Sequence, residues 1–259
     1  NKPKDRRARP AVMVVPESLQ AAARDSLATP RRGKSEILPV APGQWATIMA
    51  EDFEGAWPRG LWTVSGDPTW GKHDYKPHTG QNSAWCAAGG PSGLDPETDD
   101  YANDMWAWAL YGPFDLLDAE DAAWSFYHWS QVEEEFLDIF FYGVSLDGVN
   151  FYGRMLCGDW GDVWNYTTLD LTEVYGLGNV CGEQQVLMAF VFASHSEITY
   201  QGTFVDDVLL GKIGELPREQ IYSFPLDQDP GWTTEGDWAF GTPLGGGGQI
   251  WFPAWSCSS

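Results

Sequence analysis

Beyond residue 36 the chain is almost without positive charge. Nine of its 15 lysines and arginines fall in residues 1–36, together with only four of its 37 acidic side chains. The remaining body carries a net charge of about −27, which repels phosphate backbones and excludes nucleic acid as a partner. Where carboxylates converge, the same charge attracts divalent cations. No apolar run approaches the roughly 20 residues needed to span a bilayer. The apolar stretch of the basic opening, residues 11–15, is too short for a signal-peptide core. Residue 1 is not Met, so the expectation is a removed signal or numbering that starts inside a longer chain. Cysteines are few: Cys86, Cys157, Cys181 and Cys257, with no CxxC pair, which excludes zinc-ribbon and thioredoxin chemistry. Four histidines without HExxH, and serines without GxSxG, leave no signature of a metalloprotease or a serine hydrolase. Long helical periodicity is absent as well.

What is abundant is aromatic: 15 Trp, 13 Phe and 10 Tyr in 259 residues. Side chains of that size belong in a core or on a flat binding face. Residues 1–44 read as a basic, Pro-punctuated leader or linker with a short helix over 16–27. From Trp45 the composition turns aromatic and acidic. Strands are expected over 47–53, 105–111, 122–129, 136–146, 151–156, 163–171, 185–194 and 202–210. Asp147-Gly148 marks a hairpin turn between two of them. This pattern predicts an all-β fold, an antiparallel β-sandwich of jelly-roll type over 45–213. A Trp-Thr … Gly-Asp-Trp pattern near 224–241 echoes 53–71. Residues 214–259 are therefore expected to open a second β module and stop before completing it.

Several segments, in order, resemble the concanavalin A-like, MAM-like jelly-roll modules of secreted bacterial proteins. Such modules occur beside metalloproteases of the immune inhibitor A type and in cell-surface proteins. The segments are Glu51-Asp52-Phe53-Glu54-Gly55, Trp70-Gly71 with His78-Thr79-Gly80, Ala84-Trp85-Cys86 and Tyr111-Gly112-Pro113-Phe114-Asp115-Leu116. The stretch 138–148, Leu169-Asp170-Leu171 and Phe204-Val205-Asp206-Asp207-Val208 complete the set. The resemblance implies a structural Ca²⁺ between the first and last strands, at Asp52, Glu54, Asp206 and Asp207. It also implies a cysteine near 73–75 to partner Cys86, and this chain has none there.

Asn103 and Asp104, in the acidic loop 99–104, could supply further oxygens to a cation. For glycan binding the candidates are Trp106 with Trp108 on one strand and Tyr127 with Trp129 on another, because flat rings on a sheet stack on sugars. Concanavalin A-like folds also host glucanases, and strand alternation would put Glu134 and Asp138 on one face. That spacing is too long for those enzymes, and three consecutive Glu usually mark an exposed loop. Cys157 and Cys181 are the favoured disulfide, both lying in the later part of the sandwich. The resulting expectation is a non-catalytic, secreted or cell-surface binding or scaffolding module, stabilised by calcium, with a glycan or surface-protein partner. Two alternatives stand beside it. One is a carbohydrate-binding module. The other is a fibre subunit that self-assembles through its termini by strand addition, with residues 11–15 and 37–40 as donor strands.

Overall fold

Twelve strands and one helix make up the regular structure of residues 8–28 and 44–214, the part of the chain that this computed structural model describes. β1 (Ala8–Val14) and α1 (Glu17–Ala28) precede β2 (Ala46–Glu51), β3 (Trp62–Ser65), β4 (Thr69–His73) and β5 (Ser83–Gly89). Then come β6 (Trp106–Phe114), β7 (Ala119–Gln131), β8 (Ile139–Ser145), β9 (Asn150–Leu156), β10 (Asn165–Asp170), β11 (Val186–Ala193) and β12 (Gly202–Gly214). The first sheet runs β1-β9-β8-β11-β6-β3. The second runs β10-β7-β12-β5-β4, with β2 also paired to β12. All pairings are antiparallel, and the expected all-β sandwich is the observed fold.

Alternation explains which residues meet between the sheets. Successive strand side chains point to opposite faces. β7 therefore turns Trp124 and Phe126 inward, while β8 contributes Phe140 and Tyr142 and β11 contributes Phe190. The Phe190 ring lies 4.8 Å from Trp124, 4.9 Å from Phe126 and 5.8 Å from Phe140, so much of the aromatic content is core. Between β8 and β9 the predicted hairpin forms at Asp147-Gly148. Gly148 takes a φ of +69°, and the Asp147 carboxylate accepts the N–H groups of Val149 and Asn150 at 2.8 Å each.

The basic opening is not all linker. β1 pairs along its whole length with β9, and α1 continues over the outer face of the first sheet. Met13, Val15, Leu19 and Ala23 share a second apolar cluster with Trp108, Phe141 and Phe151. Pro10 is tolerated because β1 is an edge strand, where a missing N–H breaks no central ladder. The apolar segment 11–15, expected to donate to another module, thus serves its own sandwich. Residues 37–40, the whole of 214–259 beyond Gly214 and Cys257 lie outside the described residues.

Cys157 and Cys181 do not form the expected disulfide; both are free thiols. Cys157 sits by Phe136, just after the end of β9, where Asp159 bridges Gln131 at the last residue of β7. Cys181 lies near Asp121, toward the other end of β7. Ten residues of strand separate those two ends by about 33 Å, far beyond the ~7 Å between Cα atoms that a bridge tolerates.

Candidate functional site

The backbone departs from regular strand geometry where β12 changes partner. Phe204 and Val205 pair with β5, and from Val208 onward the same edge pairs with β2. Asp206 and Asp207 fill the gap, and the register with β7 shifts there too. Asp207 has a φ of +48°. Phe53, two residues past the last β2 pairing at Glu51, has +55°. Left-handed non-glycine residues cost conformational energy and mark places where surroundings dictate the backbone.

What they hold is the loop 78–82. Asp206 Oδ2 accepts the N–H groups of His78 at 2.8 Å and Thr79 at 3.2 Å. Asp207 takes the Thr79 hydroxyl at 2.7 Å and lies 2.6 Å from His78 Nδ1. Glu54 Oε1 accepts the N–H groups of Gln81 and Asn82 at 2.8 Å each, which holds its carboxyl below the ordinary range. Glycine suits position 80, because its φ of +62° strains other residues and a Cβ there would crowd the Glu54 carboxylate. Asp206 is fully buried, and burial pushes its carboxyl up to about 6 despite three backbone N–H donors. Asp52 accepts the Glu54 N–H at 3.1 Å. Three of the four carboxylates expected to ligate a cation, Glu54, Asp206 and Asp207, therefore hold one loop, while Asp52 contacts Glu54; all four are hard oxygen donors. Asn103 and Asp104 are exposed elsewhere, with the Asp104 N–H bonded to the carbonyl of His195.

His78 also opens the outer face of the second sheet. Its ring stacks on Tyr127 at 3.7 Å and 17°, and meets Trp164 edge-on at 5.4 Å. Tyr127 stands directly opposite Tyr166 of β10, ring to ring at 5.1 Å. Tyr166 is 61% exposed, and Thr168 and Asp170 follow it on the same exposed face. Trp129, the other expected ring of β7, is nearly buried. The Lys76 ammonium sits 3.7 Å above it, and its indole N–H donates to Asp162 at 3.1 Å.

The four expected sugar-stacking rings thus fall on opposite sides of the molecule. Trp106 is 44% exposed on the outer face of the first sheet, and Trp108 is fully buried beneath α1. Only Tyr127 of the four contributes to an open aromatic surface. His78, Trp164 and Tyr166 were not singled out as binding residues by sequence. The alternating strand 163–171 was the signal that could have found Tyr166. Glu134 and Asp138 do not share a strand face either. Glu134 lies exposed in a single 3₁₀ turn, Glu134–Phe136, and Asp138 is fully buried.

No protein-family model matches the chain, and no curated protein matches it. Among solved structures, it is similar to a family 61 carbohydrate-binding module in complex with β-1,4-galactotriose, at 13% identity and a TM-score of 0.38. That match covers 58% of this chain and 88% of the other. A xylan-binding domain of family 22 aligns at 15% identity and a TM-score of 0.40, covering 66% and 97%. The K1 cleaved adhesin domain of Lys-gingipain from Porphyromonas gingivalis aligns at 13% identity and a TM-score of 0.40, covering 65% and 98%. None of these three likenesses reaches a TM-score of 0.5. Within the described residues, no helix is long and apolar enough to cross a membrane.

Proposed function

We propose that this chain is a non-catalytic, extracellular carbohydrate-binding module whose ligand lies along the outer face of the second sheet. The observation that carries the reading is the run of rings His78, Tyr127 and Tyr166, extended at its edge by Trp164 and bordered by Thr168 and Asp170. A flat, partly exposed aromatic surface suits the apolar face of a sugar ring, and the polar neighbours suit its hydroxyls. The burial of Asp138 and the exposure of Glu134 support a non-catalytic role, since a glycosidase needs two carboxyls flanking one bond. The MAM-like affinity of the motifs belongs to the same proposal, as does secretion.

Calcium is proposed as the resident ion of the loop site. Asp52, Glu54, Asp206 and Asp207 would hold it, with the Thr79 hydroxyl as a further oxygen; calcium takes six to eight such donors. Its role would be to fix loop 78–82 and, through His78, one end of the aromatic surface.

Native electrophoresis of the full chain through gels containing soluble polysaccharides tests the function. Xylan and β-1,4-galactan form the first panel, followed by other neutral glycans. The expected result is retardation by at least one of them, with no release of reducing ends. Unretarded migration through the whole panel, or steady release of sugar, would overturn the reading.

A further inference from the structure

A second site lies at one end of the sandwich, apart from the aromatic surface. Glu133 follows the end of β7, Asp138 precedes the start of β8, and His195 follows the end of β11. β8 and β11 are neighbours that pair Ile139 with Ala193, so their adjoining residues are brought together at the end of the first sheet. Glu133 reaches the same point from the second sheet.

The donor atoms converge on one nitrogen. His195 Nδ1 lies 2.9 Å from Asp138 Oδ1 and 3.1 Å from Glu133 Oε2. A single imidazole N–H can serve one of these oxygens well. Glu133 Oε2 is closed to solvent and accepts no hydrogen bond. Asp138 is fully buried and held by a second shell: Tyr101 donates its hydroxyl to Oδ2 at 2.5 Å, and the His195 backbone N–H donates to Oδ1 at 2.6 Å. Two enclosed carboxylates therefore share one imidazole, and one oxygen is left aimed into the cluster. Such a group is costly to bury without a compensating charge.

We propose that Glu133, Asp138 and His195 form a binding site for a divalent transition-metal ion. Once Nδ1 gives up its proton, the three atoms become one nitrogen and two oxygen ligands, all within 4.8 Å of one another. Separations near 3 Å are those of neighbouring ligands around an ion with bonds of about 2.1 Å. The nitrogen donor favours zinc and similar ions over calcium, which selects oxygen. Tyr101 orients Asp138 as the outer-shell partners of metal ligands do. His195 is 28% exposed, leaving a side where water can complete the coordination.

The test uses the full chain with Cys257→Ser as background, stripped with chelator. Zn²⁺ is titrated in competition with a chromophoric chelator. One equivalent of Zn²⁺ is expected to bind. Glu133→Gln and His195→Asn should each weaken binding at least 100-fold, and Tyr101→Phe about 10-fold, the low end of second-shell effects. Glu133→Gln guards against a folding artefact, because the oxygen it alters makes no hydrogen bond. Circular dichroism should show it folded. Absence of saturable Zn²⁺ uptake by the parent chain would overturn the proposal. So would parent-like affinity in the folded Glu133→Gln variant.

Discussion

Replacing Tyr166 by Ala should separate binding from folding. The ring is 61% exposed and touches the sheet through Tyr127 at 5.1 Å. Its loss from the fold costs an aromatic pair, about 0.5–1.5 kcal/mol, plus the burial of the covered part of the ring, and its exposure keeps both toward the low end. For a domain of this size, about 1 kcal/mol moves the melting temperature by about 2–4 °C. The effect on a sugar ligand is larger. A hexose of about 12 heavy atoms at about 0.3 kcal/mol each is worth about 3–4 kcal/mol when fully engaged. Losing roughly 40% of that by removing one stacking ring is about 1.4 kcal/mol, or tenfold in Kd. Affinity electrophoresis across a range of polysaccharide concentrations measures the Kd, and a thermal melt measures the fold. Trp106→Ala is the control, because Trp106 is also exposed but lies on the outer face of the other sheet. Full affinity in Tyr166→Ala, or an equal loss in Trp106→Ala, would refute the placement of the ligand.

Three further outcomes are expected. Excess calcium should raise the melting temperature of chelator-treated protein, since an ion at 100 times its Kd stabilises by about 2.7 kcal/mol, and Asp207→Asn should abolish the response; a calcium-insensitive parent melt contradicts the site. Denaturation without reductant followed by alkylation should label both Cys157 and Cys181, and a peptide cross-linked between them would contradict the free thiols; in the native protein Cys86 should resist alkylation, because burial pushes its thiol far above the ordinary range. The last concerns pH and the β8–β9 hairpin. Partial burial pushes the Asp147 carboxyl up, but its hydrogen bonds from Asn150, Val149 and Ser145 outweigh this and bring it below the ordinary value. A carboxyl with a depressed folded pKa adds stability above its unfolded value, near 4, and loses it as pH falls through the folded one. The stability gap between parent and Asp147→Ala in denaturant melts should therefore be open at about pH 6 and narrow toward about pH 2. A gap that does not change with pH contradicts this.

Local patterns were legible wherever the physics is local. The alternation of 122–129, the β-prone run before Asp147-Gly148 and the strand 163–171 each announced β7, β8 and β10, because side-chain period and turn chemistry involve only neighbours in the chain. β3, β4 and β5 carry no such signal: Trp62–Ser65 and Thr69–His73 are short, and Ser83–Gly89 is mostly small residues without alternation. They become strands because partners are offered to them: β6 to β3, β12 to β5, and β5 in turn to β4. The histidines show the same division. His78 looked like an ordinary loop residue, and its stacking on Tyr127 depends on Asp207, 129 positions away, holding the loop. Cys157 and Cys181 looked pairable because both lie in the later part of the sandwich, yet β7 sets them at its opposite ends.

The sequence by itself determined the sandwich, the excess of acidic side chains, and the aromatic content that fills its core. Only the tertiary structure decided that residues 8–28 cover Trp108, that Tyr127 meets Tyr166, and that Glu133, Asp138 and His195 converge. Those outcomes depend on strand order and register, which bring distant residues within a few ångströms and which no local period encodes.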